Sequence, residues 1–115
     1  MSDAIQPFEI AVPDATLADL RERLARTRFP DQIEGANWDY GTELSYLREL
    51  VAYWKDGFDW RAQERLLNSV PHLKTRIDDH SAHYIHARSP HENAFPLVVT
   101  HGWPGSVFEF HKILG

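Results

Sequence analysis

Apolar residues recur at helical spacing through the first part of the chain and at alternating spacing later. Leu17, Leu20 and Leu24 fall at i, i+3 and i+7 in "VPDATLADLRERLARTRFP", which predicts a helix. Asp14 is its expected N-cap, and Pro30 its end, because a residue before proline is held out of helical geometry. Ahead of it, Phe8, Ile10 and Val12 alternate in "PFEIAV", the pattern of a short strand. "DQIEGANWDYG" reads as a loop. "TELSYLRELVAYWKDG" carries the strongest helical stripe: Leu44, Leu47, Val51 and Trp54, with Thr42 as cap and Gly57 as stop. A third helix, "DWRAQERLLNSV", starts from Asp59, lines up Trp60, Gln63 and Leu67, and is bounded by Pro71.

The periodicity changes at Pro71. "HLKTRID" and "AHYIHAR" alternate and flank "DHS", which predicts a hairpin. "SPHENAF" is a polar loop. "PLVVTHG" is a continuous apolar run, the signature of a strand buried on both faces. Val107, Phe110 and Leu114 in "SVFEFHKIL" return to helical spacing. The expected fold class is therefore α/β. A mostly helical segment over residues 1–70 precedes a strand–strand–strand–helix segment over 71–115.

Composition narrows the function classes. At 115 residues the chain is sized for one compact domain, and 43% hydrophobic with 25% charged residues is globular rather than disordered. Twelve Lys+Arg against 17 Asp+Glu leave a net charge of −5, which argues against a nucleic-acid footprint. No cysteine is present, so disulfides and Cys-based zinc sites are excluded. No apolar run approaches the roughly 18–20 residues that cross a bilayer, and the acidic start lacks the marks of a signal peptide. A soluble, cytoplasmic protein without cofactor or membrane partner is the expectation.

Candidate chemistry concentrates at His101, Gly102, Trp103, Pro104 and Gly105, where a buried strand would hand over to a helix. Such turns present backbone N–H groups able to stabilise negative charge. The glycines allow close backbone approach, and Pro104 can follow a cis bond. The residues alone leave a second reading open, a tight turn with glycines serving packing only. Ser106 sits in "PGSVF" rather than G-x-S-x-G, so it reads as a first-turn residue of the helix, not a nucleophile. The turn also lacks the spacing and lysine of a phosphate-binding loop.

His80, His83 and His86 recur every third residue. Strand alternation puts His80 and His86 on one face and His83 on the other, so the three cannot converge on a metal. His91 falls in a polar loop. Asp19, Glu22 and Glu49 lie near arginines at helical spacing, a surface pattern of little energetic weight. Trp38, Tyr40, Tyr46, Tyr53, Trp54, Phe58 and Trp60 can serve either as a core among the helices or as a docking face.

Three collinear segments carry a resemblance: "PFEIAVPDATLADLRERLARTRFPD", "WDYGTELSYLRELVAYWKDGFDWRAQERLLNSVPHLKTRID" and "PLVVTHGWPGSVFEF". Over nearly its whole length the chain resembles the N-terminal region of microsomal-type epoxide hydrolases, running into the first strands of their α/β-hydrolase domain. The resemblance implies a two-step reaction. An aspartate opens the epoxide to a covalent ester, and a histidine oriented by an acidic residue activates water to release the diol. Two cap-domain tyrosines hold the epoxide oxygen. Backbone N–H groups hold the oxyanion of the second step, one of them at the position matching Trp103. His101, Gly102, Pro104 and Gly105 would shape that turn, with His101 not acting as the base.

In the family the nucleophile, base, acid and tyrosines all lie beyond this turn, and the chain stops at Gly115. The expectation is a truncated product, a domain fragment or one half of a split gene, inactive alone. Its substrate, a small epoxide, would bind only in the complete enzyme. Its partners would be the remainder of a split hydrolase or further copies of itself. The alternative is a non-catalytic module that docks onto a related hydrolase. A metalloprotein built on the histidines is disfavoured by the strand alternation.

Overall fold

The computed structural model describes residues 4–114. It resolves into two compact units, Val12–Trp60 and residues 4–11 with 61–114.

In the first unit, helix α1 spans Asp14–Ala25. Pro13, not Asp14, is the N-cap residue, and its carbonyl accepts from the N–H groups of Thr16 and Leu17 at 3.0 and 3.2 Å. Asp14 is the first helical residue, where its carboxylate still faces the positive end of the helix dipole. The helix stops well short of Pro30. The Arg26 N–H is shared between the Glu22 and Arg23 carbonyls, and the Thr27 hydroxyl donates to the Leu24 carbonyl at 2.8 Å. These bonds satisfy the last carbonyls and close the helix early. Leu17, Leu20 and Leu24 are half-buried, as the stripe predicts. Arg23–Asp19 (2.7 Å) and Arg26–Glu22 (3.4 Å) are exposed pairs one turn apart.

Gln32 organises the following loop. Its side chain donates to the Asn37 carbonyl and accepts from the Leu44 N–H, each at 2.8 Å. Helix α2 spans Leu44–Ala52. Its cap is Glu43 rather than Thr42. The Glu43 carboxylate accepts from the Tyr46 N–H at 2.8 Å and from the Ser45 hydroxyl. A charged acceptor on the adjacent residue reaches the free N–H groups of the first turn better than the threonine one place earlier. The Ser45 hydroxyl, and then the backbone N–H groups of Tyr46 and Ser45, hold the Glu43 carboxyl below its ordinary value.

The helix runs on into a single π turn at Tyr53–Gly57, where Phe58 N–H donates to the Tyr53 carbonyl at 2.9 Å. Gly57 ends it, as expected. A Cβ there would stand 2.8 Å from Tyr53 Cδ2, so the glycine lets the Tyr53 ring fold over the turn toward Phe58. The wider winding changes the helical phase, and Trp54 departs from the predicted stripe: it is half exposed, while Leu44, Leu47 and Val51 are half-buried. Its inner edge joins Leu17, Leu20, Arg21, Phe58 and Trp60 around a crevice of about 40 Å³.

In the second unit, helix α3 (Trp60–Leu67) precedes an antiparallel sheet. Strands β1 (Gln6–Phe8), β2 (His72–Ile77) and β3 (His80–Ile85) lie in the order β1-β2-β3. Phe8 pairs with His72, and Lys74 with His83. Strand β1 is shorter than the alternation to Val12 predicts, because Ile10 is claimed by a side chain. Its N–H donates to Asn68 Oδ1 at 3.0 Å, and Asn68 Nδ2 donates back to its carbonyl at 2.8 Å. The hairpin forms as expected, with its turn one residue earlier, at Asp78–Asp79. Asp78 takes a positive φ of 52°, a conformation aspartate tolerates, and Arg76 ties the turn through the Asp78 carbonyl and the Asp79 carboxylate.

The largest departure is "PLVVTHG", which is not a strand. Leu97 and Val98 are 76% and 88% exposed. An apolar run signals a tendency to be buried, but a ladder needs a neighbour, and among the described residues no strand lies beside this one. The last predicted helix is a 3₁₀ turn at Val107–Phe110, continued by i→i+3 bonds from His111 and Ile113. Val107 and Leu114 still face inward, lining a small crevice with Leu66, Leu67, Val70 and Ile85. No helix among the described residues is long and apolar enough to cross a membrane.

Candidate functional site

The turn at residues 101–105 is open to solvent throughout, and the Trp103 side chain is 96% exposed. The Trp103–Pro104 peptide is cis. His101 Nδ1 lies 2.9 Å from the Gly102 carbonyl oxygen. A carbonyl only accepts, so Nδ1 carries the proton and Nε2 is left as an acceptor.

Gly105 packs tightly on the same carbonyl. A Cβ at this position would stand 2.7 Å from Gly102 O and run into the Glu109 carboxylate. Glu109 is there because it closes a capping box. It accepts from the Ser106 N–H at 3.3 Å, while Ser106 Oγ accepts from the Phe108 N–H at 3.3 Å. Ser106 is thus the N-cap residue, just outside the 3₁₀ turn rather than in its first turn.

The histidines divide differently from their spacing. His80 pairs with Ile77 at the hairpin turn, His83 with Lys74, and His86 lies beyond the end of β3, its N–H donating to the Pro71 carbonyl. The pattern at 80, 83 and 86 concealed a closer pair, His72 and His83. His72 is 4% exposed. Its Nδ1 is 2.9 Å from His83 Nε2, its Nε2 is 2.8 Å from the Leu67 carbonyl, and the two rings stack at 5.1 Å. Phe8 meets His83 edge-on at 5.2 Å, and Lys74 Nζ stands 3.6 Å over the Phe8 ring. Burial first, and then the charges of His72 and Lys74, push the His83 pKa below its ordinary value. Among the described residues no cluster of three or more His, Asp or Glu side chains is placed to hold a metal.

On the surface of the first unit, the Trp38 and Tyr46 rings meet at a tilt of 56° with centroids 5.2 Å apart, and Tyr40 and Tyr53 are exposed. The structure therefore does not gather the aromatics into a single core.

Among the described residues, three α-helices and a three-stranded antiparallel sheet make up only part of a fold, and the epoxide hydrolase structures it matches place that part in an α/β-hydrolase. The chain belongs to the epoxide hydrolase N-terminus family, whose model matches residues 5–110. Epoxide hydrolase 1 of Oryctolagus cuniculus is 39% identical across 97% of the chain, and the match takes up 26% of that protein. The structure of Aspergillus niger epoxide hydrolase superposes with a TM-score of 0.87 at 34% identity, covering 96% of this chain and 30% of that one. The juvenile hormone epoxide hydrolase of Bombyx mori superposes with a TM-score of 0.77 at 30% identity. The chain spans about a quarter of the length of the curated relatives it matches.

Proposed function

We propose that this chain is the N-terminal part of an enzyme that hydrolyses epoxides to vicinal diols through an aspartyl ester. Its own chemical contribution is the Trp103 backbone N–H, one of two donors to the oxyanion formed when water attacks that ester. His101, Gly102, Pro104 and Gly105 shape the turn that presents it. The observation that carries the reading is the solvent-open Gly102–Trp103 peptide at a sharp Gly/Pro turn, within a segment matched to this family over residues 5–110. The nucleophile, base and cap tyrosines belong to the remainder of the enzyme. The 115-residue chain alone is inactive, requires no cofactor or metal, and meets a small epoxide only when joined to that remainder. A cytoplasmic location completes the proposal.

The exposed Trp38, Tyr40, Tyr46 and Tyr53 favour a second reading, a non-catalytic module docking on a related hydrolase. One fusion separates the two. Residues 5–110 replace the matching segment of the Aspergillus niger enzyme, and diol formation from styrene oxide is measured. The catalytic reading predicts a working enzyme that weakens when the Trp103 N–H is replaced by an ester oxygen. The docking reading predicts that this replacement changes nothing.

A further inference from the structure

The Gly102 carbonyl and the Trp103 N–H are the two ends of one peptide unit. In a planar trans peptide they point in opposite directions, so whatever holds the carbonyl also aims the N–H. One bond holds it, and one glycine makes room for it. His101 Nδ1–H donates to the oxygen at 2.9 Å. Gly105 leaves room for it, since any Cβ there would come within 2.7 Å of that oxygen. The position of Gly105 is fixed in turn by the box between Ser106 and Glu109, whose carboxylate lies over the glycine.

We propose that His101 is a positioning residue that aims the Trp103 N–H through the Gly102 carbonyl, with Gly105 leaving the space that the carbonyl occupies. This rests on the oxyanion reading above for its catalytic consequence, though not for its geometry. His101 touches no reacting atom. It sets the peptide plane in advance, so no reorganisation is needed when charge develops opposite the N–H. The role demands an N–H donor one bond beyond the γ position. Asparagine, whose Nδ2 falls where the imidazole Nδ1 lies, can fill it, and leucine cannot.

The test is nuclear magnetic resonance on the 115-residue chain, comparing wild type, His101→Leu and His101→Asn. Long-range ¹H–¹⁵N spectra should show His101 protonated on Nδ1 at neutral pH. The Trp103 amide order parameter should fall from about 0.85 toward 0.6 or below in His101→Leu and recover in His101→Asn. Unchanged signals from the β2–β3 hairpin confirm that each variant is folded. An Nε2–H tautomer, or a Trp103 amide equally ordered in all three proteins, would overturn the proposal. In the Aspergillus niger fusion, His101→Leu should slow ester hydrolysis by roughly ten- to a hundred-fold and leave ester formation unchanged. If the Trp103 ester variant hydrolyses its intermediate normally while the resonance results hold, the oxyanion reading fails and the positioning geometry stands. If that variant is slow while His101→Leu is fast, the reverse is true.

Discussion

His72 Nδ1 stands 2.9 Å from His83 Nε2, and the other nitrogen of His72 stands 2.8 Å from the Leu67 carbonyl. The carbonyl fixes the order of protons along this chain. His72 donates from Nε2, accepts at Nδ1, and so receives the Nε2–H of His83. His72 thereby fastens the start of β2 to the end of α3, and His83 ties β3 into the same chain of bonds.

Protonation of His83 is disfavoured in the folded state, since its pKa lies below the ordinary value of 6.5. The unfolded chain therefore binds more protons in that range, and stability rises with pH. The contribution is fully present above pH 6.5 and is lost as pH falls from there through the lowered value. Denaturant midpoints measured from pH 8 to pH 5 should decline along this limb, and His83→Gln should flatten it. An unchanged slope in the variant would refute the assignment.

Asn68 binds both polar groups of Ile10 and in effect extends the sheet edge with a side chain. Asn68→Ala removes both bonds and should cost about 1–3 kcal/mol in equilibrium unfolding. Asn68→Asp keeps the acceptor for the Ile10 N–H but turns an oxygen toward the Ile10 carbonyl, and should recover little of that loss.

At Gly57 the obstacle to a side chain is the Tyr53 ring, not backbone. Gly57→Ala should displace the ring from Phe58 and destabilise by about 1 kcal/mol, the low end for overpacking. The same substitution in a Tyr53→Ala background should be near neutral. A double-mutant cycle with no coupling energy would contradict the geometry.

Much of this arrangement was legible in the sequence. The leucine stripe of α1, the stop at Gly57 and both hairpin strands follow from periodicity and turn chemistry. The errors share a cause: side chains outcompeted the local rule. Glu43 out-reached Thr42 for the cap, Thr27 closed α1 before Pro30, and Asn68 ended β1 at Ile10. Asp78 accepted a positive φ and drew the hairpin turn one residue earlier. The His72–His83 pair was hidden because no spacing within one segment encodes it. It appears only when the hairpin register puts Lys74 beside His83 and His72 two residues along. "PLVVTHG" misled for the opposite reason. Its apolar pattern says that it should be buried, and no strand among the described residues pairs with it.

That exposed run predicts dye binding. Val98 is 88% exposed, and Val98→Ser should lower the fluorescence of a bound hydrophobic dye while shifting stability by no more than about 0.5 kcal/mol. A larger loss of stability would mean that the segment is packed in solution.

Diol formation from styrene oxide is measured for residues 5–110 fused to the rest of the Aspergillus niger enzyme, beside the 115-residue chain alone. The fusion should turn over, and its Trp103 amide-to-ester variant should accumulate the enzyme ester, slowed on the order of 100-fold. The free chain should form no diol. A folded fusion indifferent to the loss of the Trp103 N–H, or a free chain that makes diol by itself, would contradict the account.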